Sequence, residues 1–320
     1  MKYLIFGGSG FIGSNLLEEL GQEGEDAVVF DAQPDPEGLA VGKNVKVVKG
    51  DIADFNDVLS AIAEHKPDYV VDLVSIMSSA PKVNDENNRP WPAIEAHSKG
   101  LYNILETARV VPIKRTIWAS SVAVYGASNS PTPWNEDSIS APDTVYGIAK
   151  RLNEFMGEYY FSRYRIDSVG LRFTFVYGPR MFRVRSAGRK STAYAFIEEL
   201  FSKGLTQEKV TVFGLKRTQD WLYARDAARS IILAARSKTL TKRYYQMSGS
   251  RRQAGQMVEA AQKMLPNLRI EILDKENELA GRMGGANYDY SSAKKEFGYE
   301  PKYSIEEGIR LTMEYYRNRQ

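Results

Sequence analysis

Tyr146 and Lys150 stand four residues apart in Tyr146-Gly147-Ile148-Ala149-Lys150, 25 residues after Ser121 of the Ser120-Ser121 pair. On a helix that spacing puts both side chains on one face, so an ammonium can lie beneath a phenol. A free tyrosine, with a pKa of about 10, is a poor base at neutral pH. A neighbouring cation favours its phenolate. A serine hydroxyl alongside could hold the substrate oxygen whose proton the tyrosine exchanges. Such a set suits interconversion of an alcohol and a ketone, which requires a hydride carrier. Tyr-x-x-x-Lys is common by chance and is often no more than a solvated helix face, so the carrier's site has to be found elsewhere in the chain.

The amino terminus supplies it. Lys2-Tyr3-Leu4-Ile5-Phe6 reads as a short buried strand, Gly7-Gly8-Ser9-Gly10-Phe11-Ile12-Gly13 as a glycine loop, and Ser14 to Leu20 as an amphipathic helix. This is the context in which a glycine motif points to a dinucleotide. Gly7 permits a tight turn, Gly10 lets a pyrophosphate approach the helix N-terminus, and Gly13 lets helix and strand pack closely. Phe11 and Ile12 complete the candidate cradle. A second strand ends at Asp31, 18 residues after Gly13, where a carboxylate can accept hydrogen bonds from ribose hydroxyls. It would repel a 2′-phosphate and no arginine immediately follows it, so NAD is expected rather than NADP. Asp51 and Ile52, at the end of a third strand, have two open readings: contact with the adenine edge, or, for Asp51, a helix cap before Phe55. A fourth strand, Tyr69 to Ser75, is expected to run beneath the cofactor, with Leu73, Val74 and Ser75 near the nicotinamide ribose.

These elements fit an ordinary globular chain. Its 320 residues can bury a large core in one or two domains, and 43% of them are hydrophobic. No apolar run approaches the ~18 residues of a membrane helix, and Met1 leads straight into a strand, so neither membrane insertion nor a signal peptide is expected. A cytoplasmic protein follows. With no cysteine, disulfides, thiolate catalysis and cysteine-ligated metals are excluded. Two histidines, His65 and His97, are too few for a histidine-rich metal site, and no metal is expected. A net charge of +3 is too mild to argue for nucleic acid.

Through about residue 175 strands and helices alternate. Strands are expected near 2–6, 27–31, 45–48, 69–74, 114–119 and 166–173, and helices near 11–21, 54–65, 91–109 and 144–164. The fold class is α/β, a doubly wound parallel sheet with a smaller, interleaved C-terminal substrate domain. Residues 1–175 would form the nucleotide-binding domain, to which the chain returns near 215–247, leaving 176–214 and 248–320 for the substrate domain. Ligands belong at the carboxyl ends of such strands, and Gly7, Asp31, Asp51, Leu73, Ser121 and Phe173 all fall there.

The ordered motifs resemble the extended short-chain dehydrogenase/reductase family, in particular its NAD-dependent nucleotide-sugar epimerases and dehydratases. The likeness rests on the glycine loop, Ala119 to Gly126, Tyr146 to Lys150, Leu171-Arg172-Phe173, Val176-Tyr177-Gly178-Pro179, Asp220-Trp221-Leu222-Tyr223 and Ser291 to Pro301. It implies NAD as cofactor, Ser121 as the catalytic hydroxyl, Tyr146 as the acid/base and Lys150 as the ribose-binding cation. His97, Phe173 and Thr174 would complete the cofactor side. Sugar 4,6-dehydratases carry an Asp-Glu pair after the catalytic hydroxyl residue; Val122-Ala123 stands there, which disfavours elimination. Three departures concern the substrate: Phe175 where the family has Asn, Gln219 where it has a phosphate-binding Arg (Arg217 lies two residues away), and His97 where it has Asn.

The expected function is therefore transient oxidation and re-reduction of a nucleotide-linked sugar by an epimerase. The alternative is net dehydrogenation of a non-nucleotide polyol, sugar acid or hydroxy acid; a redox-inactive NAD-binding protein is a third class. Arg180, Arg183, Arg185, Arg189 and Lys190 could clamp an anionic substrate or form a solvated loop. Phe175, Arg180, Arg183 and Arg217 are the substrate-side candidates. His97 reads as a packed or capping histidine, with proton transfer as the other possibility. The resemblance also implies a homodimer through the helices near 91–109 and 144–164, with Met156, Tyr160 and Tyr164 as seam candidates.

Overall fold

A computed structural model describes residues 1–34, 45–75, 90–126, 128, 130–181, 197, 200, 201, 209–265, 267–273 and 286–318. Seven strands form one parallel sheet: β1 (Lys2–Phe6), β2 (Asp26–Asp31), β3 (Val45–Lys49), β4 (Tyr69–Asp72), β5 (Arg115–Ser121), β6 (Ser168–Phe173) and β10 (Tyr244–Met247), in the order β10-β6-β5-β4-β1-β2-β3. β1 lies between β2 and β4, so the winding reverses between β1 and β4 and opens a crevice at their carboxyl ends. Registers Phe6↔Asp72, Asp72↔Trp118 and Ser121↔Phe173 align those ends.

Helices cover both faces, as a parallel sheet requires. α1 (Phe11–Gln22) packs against α5 (Ala224–Arg236) on one side, while α2 (Phe55–His65), α3 (Pro90–Thr107) and α4 (Val145–Tyr164) adjoin in series on the other. Alternate strand residues serve the two layers: Tyr3, Ile5, Val29 and Val71 meet α1 and α5, and Leu4, Phe6, Val28 and Phe30 meet α2. A second apolar core lies outside the sheet. It gathers around β7 (Phe175–Tyr177), β8 (Val210–Phe213), β9 (Thr218–Tyr223), α6 (Ala254–Met264) and α8 (Ile305–Arg317). Here β7, β9 and β11 (Ser250–Gln253) form a three-stranded sheet, β8 pairs with β12 (Ile270–Leu273), and α7 (Ser291–Phe297) precedes α8. The structure thus has the doubly wound sheet and the smaller carboxyl-terminal structure expected.

β4 stops at Asp72 rather than running to 74, because Val74 N turns back to Asp72 Oδ1 at 3.0 Å. The cap of α2 is Asp54, whose carboxylate accepts from Asn56 N and Asp57 N. Asp51 is not the cap; its Oδ1 accepts from Ala53 N in a local turn at 2.9 Å. Of residues 193–202 only Ile197, Leu200 and Phe201 are described; all three are buried in the second core. Two seam candidates turn inward: Tyr160 packs with Leu101, Leu105 and Trp118 and bonds Glu106, and Met156 packs against the same cluster. The exposed apolar row on α4 is instead Ile148, Leu152, Phe155 and Tyr159, with Tyr102 exposed on α3. Among the described residues no helix is long and apolar enough to cross a membrane.

Arg115 ties the strand that carries Ser121 to α5. Its Nη1 donates to the carbonyls of Ala234, Ala235 and Ser237 at 2.6, 3.3 and 2.8 Å, and its Nε to Asp167 at 2.9 Å. A guanidinium on the last carbonyls of a helix satisfies groups that the helix itself cannot. Arg115→Met leaves those buried carbonyls without a partner and should cost about 2–3 kcal/mol in urea unfolding.

Candidate active site

The motif on α4 lies against the carboxyl end of β5. Lys150 is buried and its Nζ donates to Ala119 O at 2.7 Å, using one of its three protons. The same ammonium is 5.5 Å from the centroid of the Tyr146 ring. Ser121 ends β5 and caps the 3-10 turn Val122–Val124; its Oγ accepts from Ala123 N at 3.1 Å. With a lone pair occupied in this way, the hydroxyl is oriented to donate its proton outward. Tyr146, in the first turn of α4, is partly exposed. Thr144 caps that turn by accepting from Gly147 N at 3.0 Å. Gly147 permits the approach of helix to turn, since a Cβ there would stand 2.5 Å from Ala123 O.

The glycine loop closes the crevice from the β1 side. Gly7 has φ +75°, and a Cβ on it would meet Leu73 C and Val74 N at 3.0 Å, so loop and β4 terminus touch through backbone alone. Gly10 begins α1 with no side-chain cap, leaving first-turn amides to face an anion. A Cβ on Gly13 would lie within 2.7 Å of Gly7 and Gly8 backbone. Phe11 and Ile12, in that turn, pack partly buried against the cores. Asp31 is joined to the loop, its Oδ2 accepting from Ser9 N at 3.2 Å. Burial pushes its carboxyl above the usual range, against the opposing effect of the Gln33 and Ser9 amides. Ile52 is buried, with its carbonyl accepting from Asn103 Nδ2 at 2.8 Å.

His97 faces this centre from α3. Its ring meets that of Tyr146 edge-on at 5.2 Å between centroids, its carbonyl accepts from Asn153 Nδ2 at 3.0 Å, and its buried Nδ1 has no hydrogen-bond partner. Burial, aided by the charge of Lys150, pulls its pKa down to about 3. The imidazole is therefore neutral at physiological pH, in keeping with a packed ring.

The substrate-side candidates divide. Phe175 lies on β7 with its ring 6.2 Å from that of Trp221. On β9, one face further along, the Gln219 amide oxygen accepts from Arg217 Nε and Nη2 at 2.9 and 3.0 Å. Thr174 Oγ1 donates to the buried Asp220 at 2.8 Å, and Phe173 is buried beside Ser121. Arg180 goes elsewhere: it is buried between α1 and α8, with Nε on the Tyr315 hydroxyl at 3.0 Å and Nη2 3.7 Å from Glu18. Arg183, Arg185, Arg189 and Lys190 lie outside the described residues.

The model of the NAD dependent epimerase/dehydratase family matches residues 3–247, most of the chain. The chain belongs to that family. An uncharacterized protein of Methanocaldococcus jannaschii is 28% identical over 97% of this chain and 95% of its own length. Among solved structures, a UDP-glucose 4-epimerase from Thermotoga maritima with UDP-glucose is 27% identical, with a TM-score of 0.82, covering 100% of this chain and 99% of that one. A GalE-like L-threonine dehydrogenase from Cupriavidus necator has a TM-score of 0.82 over 98% of this chain and 99% of its own; at 22% identity it speaks for the fold.

Two charged residues of this family member escaped the sequence reading. Glu154, four residues after Lys150, is fully buried and bonded to Ser120 and Arg172; the repeat of the four-residue spacing was its only signal. Asp72 is buried at the end of β4, a carboxylate inside an expected strand that the sequence reading gave no role. Burial raises its pKa to about 6, with Lys150 and the Val74 amide acting in the opposite direction. A carboxyl raised in the folded state favours folding when protonated. Its contribution is full below the unfolded value, near 3.8, and is lost as pH rises through about 6. Asp72→Asn keeps the acceptor for Val74 N without the charge. Relative to the parent, this variant should gain up to about 3 kcal/mol in urea unfolding between pH 4 and pH 8.

Proposed function

We propose that the protein is an NAD-dependent epimerase of a nucleotide-linked sugar. The observation that carries this reading is the joint placement of Ser121, Tyr146 and Lys150 at the carboxyl ends of the strands, beside a glycine loop that a side chain would fill. NAD fits that crevice: Gly7, Gly10 and Gly13 leave room for a pyrophosphate at the uncapped start of α1, and Asp31 offers a carboxylate for the adenosine ribose. Ile52 would border the adenine, and Leu73 to Ser75, His97, Phe173 and Thr174 the nicotinamide end. When bound, NAD supplies the acceptor and donor of the hydride at the carbinol carbon.

The chain's own residues manage the proton and the oxygen. Ser121 donates to the substrate hydroxyl oxygen and fixes it. Tyr146 takes the hydroxyl proton as the ketone forms and gives it back when the ketone is reduced on its other face. Lys150, held on Ala119 O, has two remaining protons for the ribose hydroxyls. The Val122–Val124 turn bears no acid, so water elimination has no proton donor there. We assign residues 1–175 and the return near 215–247 to cofactor binding, and 176–214 with 248–320 to the substrate. The UDP-glucose bound in the Thermotoga maritima structure supports a nucleotide-linked substrate. Phe175 against Trp221, and Arg217 held by Gln219, favour a second reading in which a smaller hydroxy compound is oxidised with net release of reduced cofactor.

Incubating the NAD-loaded protein with nucleotide sugars and free sugar acids, while following NADH absorbance and product stereochemistry, separates these readings. Epimer without net NADH is expected; stoichiometric NADH would establish the dehydrogenase instead. Tyr146→Phe should lower kcat at least ~100-fold with NAD binding retained, and full turnover in that variant would remove Tyr146 from the chemistry.

The exposed row Ile148, Leu152, Phe155 and Tyr159 fits a two-fold pairing with the same row of a second copy. Sedimentation should give about twice the chain mass of 36.0 kDa, and Phe155→Glu should give the single chain.

A further inference from the structure

Among the described residues, Lys150 is one of two α4 side chains hydrogen-bonded to β5. Four residues on, Glu154 Oε1 accepts from Ser120 Oγ at 2.7 Å. Tyr146, Lys150 and Glu154 form one row on the helix, at i, i+4 and i+8. A carboxylate alone in the interior would take up a proton rather than stay charged. Two guanidiniums are fixed on this one. Arg172 donates from Nε to Oε1 at 2.7 Å and from Nη2 to Oε2 at 2.8 Å, and Arg151 Nη1 donates to Oε2 at 2.7 Å. Arg172 is itself fully buried, 4.1 Å from the centroid of Tyr244, and its Nη1 reaches the Tyr125 hydroxyl at 3.0 Å. Tyr125 closes the 3-10 turn that Ser121 opens. The polar chain therefore leaves β5 just before Ser121 and returns at the far end of its turn.

We propose that Glu154 is a positioning residue for the hydride-transfer centre. Through Ser120 on one side and through Arg172 and Tyr125 on the other, it sets the Ser121 turn against Tyr146 and Lys150. A buried ion pair is often no more stabilising than apolar residues of the same volume. What the carboxylate adds is direction, with hydrogen bonds that fix both ends of the turn by which Ser121 is presented. The proposal rests on Ser121, Tyr146 and Lys150 being the reacting set.

Ser120→Ala tests it, because this change removes the one bond to the catalytic strand and leaves the ion pairs in place. In the NAD-loaded protein, kcat with UDP-glucose should fall about tenfold while KM and NAD affinity stay within about twofold. Amide exchange over residues 119–125 and 145–150 should quicken about tenfold, with the unfolding midpoint moved by less than ~3 °C. Ser120→Thr, which keeps the hydroxyl, should restore both. Parent-like kcat and exchange in Ser120→Ala would overturn the proposal, as would losses shared equally by kcat, KM and NAD affinity. If the parent protein leaves UDP-glucose unchanged, the nucleotide-sugar reading fails for that substrate and the exchange measurement alone decides the positioning role.

Discussion

Where Gly147 meets the carbonyl of Ala123, a Cβ would stand 2.5 Å from the oxygen, so helix α4 and the turn after β5 touch backbone to backbone. That approach governs the rest of the site. It brings Lys150 within reach of Ala119 O and sets the Tyr146 ring over the same crevice that Ser121 faces. Side chains are adjustable spacers, whereas two backbones in contact are not. A separation set in this way suits a reaction in which a misplacement of about 1 Å can cost a hundredfold in rate.

A second backbone contact fixes the opposite wall. Gly7 reaches Leu73 and Val74 where the winding of the sheet reverses, and Asp72 holds Val74 in the turn that ends β4. Both walls are therefore built at strand ends by residues whose side chains are absent or turned back on the main chain. The space between is left to the bound molecules. Burying Asp72 for this purpose has a cost, visible as a carboxyl raised to about 6 and tolerated next to the ammonium of Lys150.

Much of this was legible in the sequence because it depends on local spacing. The glycine loop, the strand before it, Asp31 and the Tyr146/Lys150 pair are all short-range patterns, and β10 joins the large sheet within the expected return near 215–247. What could not be read arises from pairings distant in sequence. Glu154 has meaning only once Ser120 and Arg172 surround it, and Arg180 reads as a substrate arginine until Tyr315 and Glu18 are seen beside it. The inward packing of Tyr160 and Met156 was hidden for another reason. α4 carries apolar residues around most of its circumference, so periodicity does not tell the stripe facing its own sheet from the one facing outward. Tyr160 and Tyr159 fall on opposite sides of that division.

The candidate catalytic set and the substrate-side candidates are carried by different sheets. Ser121, Lys150 and their supports belong to the seven-stranded parallel sheet and α4, while Phe175, Arg217 and Gln219 belong to β7, the turn into β9 and β9 itself. The two meet at the step from β6 to β7, where Thr174 is fixed on Asp220, and again where β9 runs into α5 and β10 leads on to β11. A change at Phe175 or Gln219 therefore falls on a different sheet from the Ser121 hydroxyl. The three departures from the family pattern leave Ser121, Tyr146 and Lys150 as the family has them. Phe175 packs against the second core and Gln219 is buried, and His97, the third, is buried as a neutral ring against Tyr146 and adds no second charge beside Lys150.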